Sequence, residues 1–110
     1  MEIRKEAVDG VMVFAPVGRI DSGSARDVEE ALLPLFDAGA PVLIDFAALN
    51  YISSAGLRVL LLAARRSKAT GVSLTLAGMS KAVDEVFRIS GFDKMFTIEA
   101  DRAAALTVKG

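Results

Sequence analysis

The fold of this chain is constrained most by a short apolar run and by the long apolar helix that begins soon after it. Residues 42–46, Val-Leu-Ile-Asp-Phe, are typical of a strand that is buried on both faces. The helix begins near Ser54, carries a wide apolar face, and is predicted to end at Gly71. A buried strand that leads into a helix of this length indicates an α/β domain with parallel pairings.

The segments on either side alternate between strand and helix patterns. Asp9-Gly10 separates two strand-like segments, residues 2–8 and 11–17, and predicts an antiparallel hairpin. Residues 21–24 are predicted to cap a helix that runs to about Ala38. Pro34 is expected to kink or split this helix. Further strands are predicted at residues 72–77 and 95–98, and further helices at residues 81–90 and 101–108.

These patterns together predict one α/β domain over residues 1–110. Its mixed sheet joins the N-terminal hairpin to parallel strands and is covered by about four helices.

The composition excludes several classes of function. The chain has no cysteine and no histidine, so it lacks a thiol nucleophile, the commonest general base and the commonest metal ligands. A formal net charge of −1 with mixed signs predicts no nucleic-acid surface. No apolar run is long enough to cross a membrane, and residues 1–6 lack the apolar core of a signal peptide. We therefore expect a cytoplasmic protein with no membrane insertion and no metal site, and the chain lacks the side chains on which most familiar active sites depend.

Two serines stand at the predicted start of the long helix. A helix start leaves backbone N–H groups without partners and carries a partial positive charge, which favours phosphate. Ala55 and Gly56 leave the approach to Ser54 uncrowded. The chemistry alone favours the simpler alternative, in which Ser53 and Ser54 only cap the helix.

Three local motifs, taken in order, resemble the STAS domain (sulphate transporter and anti-sigma factor antagonist). They are Gly18-Arg19-Ile20-Asp21, then residues 42–46 followed by Asn50-Tyr51-Ile52-Ser53-Ser54-Ala55-Gly56-Leu57, and finally residues 90–96, Ser-Gly-Phe-Asp-Lys-Met-Phe. Within that family the chain is most similar to the stand-alone bacterial anti-sigma factor antagonists. The resemblance covers nearly the whole chain.

The resemblance implies that Ser54 is the regulated phosphate acceptor. The family commonly has an aspartate before this serine, and Ser53 occupies that place here, which leaves Ser53 as a rival acceptor. Asp21 either caps the first helix or lies beside Ser54, and Asp45 is expected in the Ser54 neighbourhood. Arg58 is either solvated or a contact at the rim of the partner surface.

A glycine early in a helix costs stability, so Gly56 is interpreted as a point where a partner comes close. With Asp21, Asp45, Ser53, Ala55 and Arg58, it completes the expected partner-binding set.

The family also implies the function. The unphosphorylated protein is expected to bind an anti-sigma factor that is a serine kinase, and so to free a sigma factor. Phosphorylation would inactivate it, and a metal-dependent serine phosphatase would reset it. The resemblance thus implies a substrate of the kinase that needs no cofactor and has no enzymatic activity of its own. The alternatives are a STAS regulatory subunit of a membrane lipid or anion transporter, a component of a signalling scaffold, and, ranked last, a nucleotide-binding module or small enzyme.

Overall fold

The computed structural model describes residues 1–107, which form seven strands and four α-helices. The strands are β1 (Ile3–Val8), β2 (Val11–Pro16), β3 (Gly18–Ile20), β4 (Val42–Asp45), β5 (Leu49–Ile52), β6 (Leu74–Ala77) and β7 (Thr97–Glu99). The helices are α1 (Ala25–Leu32), α2 (Ser54–Thr70), α3 (Lys81–Ser90) and α4 (Arg102–Thr107). Two 3₁₀ turns, Leu33–Ala38 and Phe92–Met95, follow α1 and α3 respectively.

Five strands form the main sheet, in the order β1-β2-β4-β6-β7. The hairpin strands β1 and β2 are antiparallel, and the other neighbours are parallel. Asp9 and Gly10 at the hairpin tip have φ of 51° and 81°, as a tight turn matched to the strand twist requires. The predicted mixed α/β fold with four helices is confirmed.

The helices cover the two faces of this sheet unequally. Helices α1, α2 and α3 pack on one face, where side chains such as Phe14, Ile44 and Leu76 form the larger core. The short helix α4 packs on the other face through Ala105, against a smaller cluster that includes Val13 and Leu43. Strands β2 and β4 therefore send alternate side chains into two different cores. No helix among residues 1–107 has both the length and the apolarity needed to cross a membrane.

A second, two-stranded sheet joins β3 to β5 in parallel, and it positions the site described below. Gly18, with φ of 95°, starts β3, and its N–H donates to the carbonyl of Ala48 at 2.9 Å. At the other end of the pair, Ile20 lies opposite Ile52. This small sheet was not predicted, because strands of three and four residues are too short to show an alternating pattern.

Several predicted boundaries were wrong for identifiable reasons. Helix α1 ends at Leu32 and does not run on to Ala38, because Pro34 falls in a 3₁₀ turn, which is the split expected at that residue. Strand β7 begins at Thr97, since Met95 still belongs to the second 3₁₀ turn. The predicted last helix corresponds to α4, and Val108 lies outside the described residues.

Candidate functional site

The start of α2 is fixed to the small sheet by backbone hydrogen bonds. The N–H of Ser53 donates to the carbonyl of Ile20 at 2.8 Å, which continues the β3–β5 pairing by one residue. Ser53 is the N-cap, and its hydroxyl oxygen accepts the N–H of Gly56 at 3.2 Å. The capping function expected of the two serines therefore belongs to Ser53.

Ser54 is the first residue of α2, and its side chain is exposed. Its hydroxyl makes no hydrogen bond to any part of the chain within residues 1–107. The N–H groups of Ser54 and Ala55 have no intrahelical acceptor at this position, so they add to the positive end of the helix dipole. The site thus combines a free, accessible hydroxyl with a backbone that favours added negative charge.

Gly56 faces the interior, which corrects the interpretation that a partner approaches it. The residue is buried. A Cβ on Gly56 would lie 2.7 Å from Cγ1 of Ile52 and 2.8 Å from Cγ2 of Ile20. The absence of a side chain therefore allows α2 to rest directly on both strands of the small sheet. Packing within the domain accounts for this glycine.

Asp21 lies beside Ser53, as the parallel pairing of the preceding isoleucines requires. Its Oδ1 accepts the N–H groups of Gly23 and Ser24, each at 3.0 Å, and its Oδ2 is 3.9 Å from Nε of Arg19. The N-cap of α1 is Ser24, so Asp21 organises the turn before the helix and does not itself occupy the cap. Within the described residues its carboxylate is not hydrogen-bonded to Ser54.

Because several groups donate hydrogen bonds to the Asp21 carboxylate, we expect the stability of the domain to depend on pH. The N–H and hydroxyl of Ser24 lower the pKa of the Asp21 carboxyl below its ordinary 3.8, with smaller contributions from the N–H of Gly23 and from Arg19. A lowered folded-state pKa contributes stability that is present above the unfolded pKa and is lost as pH falls through the folded pKa.

We therefore expect the stability difference between the wild type and Asp21→Asn to be constant above about pH 5 and to shrink below about pH 4. Urea unfolding at a series of pH values measures this difference. A difference that stays constant down to about pH 2 would contradict the prediction.

Asp45 does not lie with Ser54, contrary to expectation. It ends β4 on the same face as Leu43, towards α4, whereas α2 packs on the opposite face. Its Oδ2 accepts from Nε of Arg102 at 2.9 Å, and its Oδ1 accepts the N–H of Ala47 at 3.0 Å. Arg102 also pairs with Glu6, and both acidic partners raise the pKa of its guanidinium. Asp45 therefore ties α4 to the sheet.

A groove of about 480 Å³ runs between α1 and the first turns of α2, next to Ser54. Arg58 is exposed on its wall and lies 3.9 Å from Oε1 of Glu29 on α1. Ala55, half-buried, lines the same groove. The other lining residues are Ser22, Ala25, Arg26, Glu30 and Val59. Because acidic and basic side chains alternate here, the wall has no dominant charge.

Arg19 and Tyr51, which were not among the predicted site residues, also lie at this end of the small sheet. Tyr51 is 41% exposed, and the guanidinium carbon of Arg19 lies 4.5 Å from the centre of its ring. This is within cation–π range. The two residues are partners across β3 and β5. A three-residue strand carries too little pattern to reveal such a pairing, although the only tyrosine of the chain, three residues before Ser54, was a signal that the sequence did offer.

Comparison with known proteins agrees with this architecture. A family model described as the STAS domain matches residues 2–105. A Bordetella bronchiseptica protein named anti-sigma factor antagonist BtrV is 37% identical over 106 residues, which cover 96% of this chain and 91% of the relative. The anti-sigma-B factor antagonist of Bacillus subtilis is 34% identical over 83 residues, 76% of each chain.

Solved structures with lower sequence identity share the fold. A Thermotoga maritima protein described as an anti-sigma factor antagonist superposes with a TM-score of 0.88 at 16% identity, covering 96% of this chain and 92% of that chain. The phosphorylated form of the Bacillus protein SpoIIAA superposes with a TM-score of 0.73 at 20% identity, covering 98% of this chain and 100% of that chain. At these identities the likeness establishes the fold alone.

Proposed function

This chain belongs to the STAS domain family, and we propose that it is an anti-sigma factor antagonist controlled by phosphorylation of Ser54. In its unphosphorylated form it binds an anti-sigma factor that is a serine kinase, and this binding frees a sigma factor. Phosphate on Ser54 weakens the complex, and a metal-dependent serine phosphatase removes it. The chain is a binding partner and substrate, and it catalyses no reaction.

The observation that carries this proposal is the position of the Ser54 hydroxyl. It is exposed, free of hydrogen bonds within residues 1–107, and placed at the first residue of a helix whose start is pinned to the small sheet. Relatives at 37% and 34% identity that carry the name anti-sigma factor antagonist support the same reading.

The phosphorylation step suits this geometry. The Ser54 oxygen attacks the γ-phosphorus of ATP held by the kinase, a new O–P bond forms, and the bond to ADP breaks. The hydroxyl proton passes to a base or to water in the kinase site. The product phosphate carries about −1.5 to −2 charges, and the start of α2 stabilises it by about 0.3–1 kcal/mol. The isolated domain can therefore carry the phosphate without rearranging.

The proposed partner surface surrounds Ser54. It includes Ser53, Ala55 and Arg58 from α2 and its cap, together with Asp21 before α1. Arg19 and Tyr51 extend it across the small sheet. We leave Gly56 and Asp45 out of this surface, because Gly56 is covered by Ile20 and Ile52 and Asp45 lies on the other face of the sheet.

The proposal is tested by phosphorylation with the anti-sigma factor kinase from the same genome, ATP and magnesium. Mass spectrometry of peptides is expected to find one phosphate on the wild type, at Ser54, and none on Ser54→Ala. Ser53→Ala is the matched control, and it should still take one phosphate despite losing about 1 kcal/mol of capping. Phosphate at Ser53 in the Ser54→Ala protein would show that the acceptor is Ser53.

A further inference from the structure

A second groove lies on the flank of α2, between its C-terminal half and the 3₁₀ turn Phe92–Met95. Its volume is about 480 Å³, and its lining residues are Leu61, Ala64, Arg65, Lys68, Lys94 and Met95. The four residues on α2 follow a helical spacing that places them on one face. Lys68 is about 21 Å from Ser54 along the helix at 1.5 Å per residue. The groove is therefore separate from the Ser54 surface.

The groove combines an apolar floor with cations that have no ion pair. Leu61 and Ala64 are half-buried, and Met95 is 50% exposed. Arg65, Lys68 and Lys94 form no salt bridge with any residue in 1–107, and no lining residue is acidic.

Neighbouring charges are engaged elsewhere. Arg66, which adjoins Arg65 in sequence, pairs with Asp37 at 3.3 Å, outside the groove. On α3, the pKa of the Arg88 guanidinium is raised chiefly by its hydrogen bond to Asp84 and by the charge of Asp84, and Asp93, which precedes Lys94, adds a smaller charge effect. Within residues 1–107, no acidic side chain lies within ion-pair distance of Arg65, Lys68 or Lys94.

The stability of the fold does not explain why three cations lie together in this groove. A cation in the last turn of a helix is favoured by the helix dipole, which explains Lys68 alone. Arg65 lies more than a turn before the helix end, and Lys94 belongs to a different element. Phe92 and Phe96 on either side pack against the core, whereas Met95 stays exposed.

We propose that this groove binds an acidic segment of a second partner protein. An apolar side chain of that segment rests on Leu61, Ala64 and Met95, while its carboxylates meet the three unpaired cations. Methionine suits the floor because its flexible thioether adapts to different contacts. A concave groove between two elements fits a peptide better than the flat surface of a membrane. Since the groove is remote from Ser54, such binding is compatible with either phosphorylation state.

The test uses a labelled 15-residue helical peptide with glutamates on one face and leucines on the other. We expect it to bind the wild-type protein and to shift the amide signals of Leu61, Arg65 and Met95. A version with lysine in place of glutamate should not bind. The triple variant Arg65→Gln, Lys68→Gln, Lys94→Gln should lose affinity at least tenfold.

A matched control removes the same charge elsewhere. Arg4→Gln, Lys5→Gln, Lys81→Gln alters exposed cations outside the groove and should change affinity less than twofold. Ser54→Asp should bind the peptide as the wild type does, which separates this test from that of the proposed function. Absence of peptide binding, equal loss in the control triple variant, or binding only to phosphatidylserine vesicles would overturn the proposal.

Discussion

A Ser54→Asp variant is expected to bind the anti-sigma factor at least tenfold more weakly than the wild type, a loss of about 1.4 kcal/mol or more. The variant should fold normally, since a carboxylate at the first residue of α2 is favoured by the helix dipole. In the complex, however, the new charge must lose its water, and this cost has no counterpart in the free protein. Ser54→Ala should bind normally and resist inactivation.

Asp45 faces the opposite side of the sheet, and Asp21 is within 3.9 Å of Arg19, so the surroundings of Ser54 carry mixed charge. Repulsion from the domain's own carboxylates is therefore a small contribution. Desolvation of the new charge and the charges of the partner should dominate.

Titration calorimetry at two salt concentrations separates the cost of desolvation from the repulsion by the charges of the partner. Raising the salt concentration from 0.1 M to 1 M shortens the screening length from about 10 Å to about 3 Å. It should therefore recover only that part of the lost affinity that is due to exposed charges. Ser73→Asp is the matched control, because Ser73 is exposed beyond the opposite end of α2. It should bind like the wild type. Amide shifts spread far from Ser54 in the free Ser54→Asp protein would instead indicate a conformational switch.

Replacing Gly56 with alanine is expected to destabilise the domain by about 1–3 kcal/mol, although alanine is the better helix former by about 1 kcal/mol. The added methyl would meet Ile52 and Ile20 at less than 3 Å, and both neighbours are β-branched side chains with little freedom to move. The melting temperature should fall by about 4–8 °C for each kcal/mol in a domain near this size.

Gly23→Ala is the control for this substitution. A methyl at Gly23 would lie 3.4 Å from Oδ1 of Asp21, which is ordinary contact, and the residue is exposed. Its free energy of unfolding should stay within about 0.5 kcal/mol of the wild type. If thermal and urea unfolding show Gly56→Ala to be as stable as the wild type, α2 does not rest as tightly on the small sheet as the distances indicate.

The sequence predicted those parts of the fold that have a clear period or a clear turn signal. The Asp9-Gly10 hairpin, the buried strand β4 and the helix ending at Gly71 are of this kind. The pairing of β3 with β5 was not predictable, because such short strands show no alternation and their partners are distant in the chain.

The position of Ser54 was predictable, but the contacts around it were not. Ser54 was correctly placed at a helix start, whereas the face on which Asp45 lies depends on the register of a buried strand. An apolar run shows no difference between its two faces. Gly56 was misread for a related reason, since propensity alone does not reveal that two isoleucines converge on it.

The β3–β5 pairing has a consequence for where this chain can tolerate insertions. Asp21 and Ser53 directly follow β3 and β5, and the hydrogen bonds of this pairing hold them side by side, although α1, a 3₁₀ turn and β4 intervene in sequence. The exposed turn at Gly39 belongs to that intervening stretch and contributes no bond to the pairing. Extra residues inserted there would lengthen an exposed loop without altering the distance between Asp21 and Ser53. We therefore expect a reporter peptide or a fluorescent label inserted at Gly39 to leave the arrangement of residues around Ser54 unchanged.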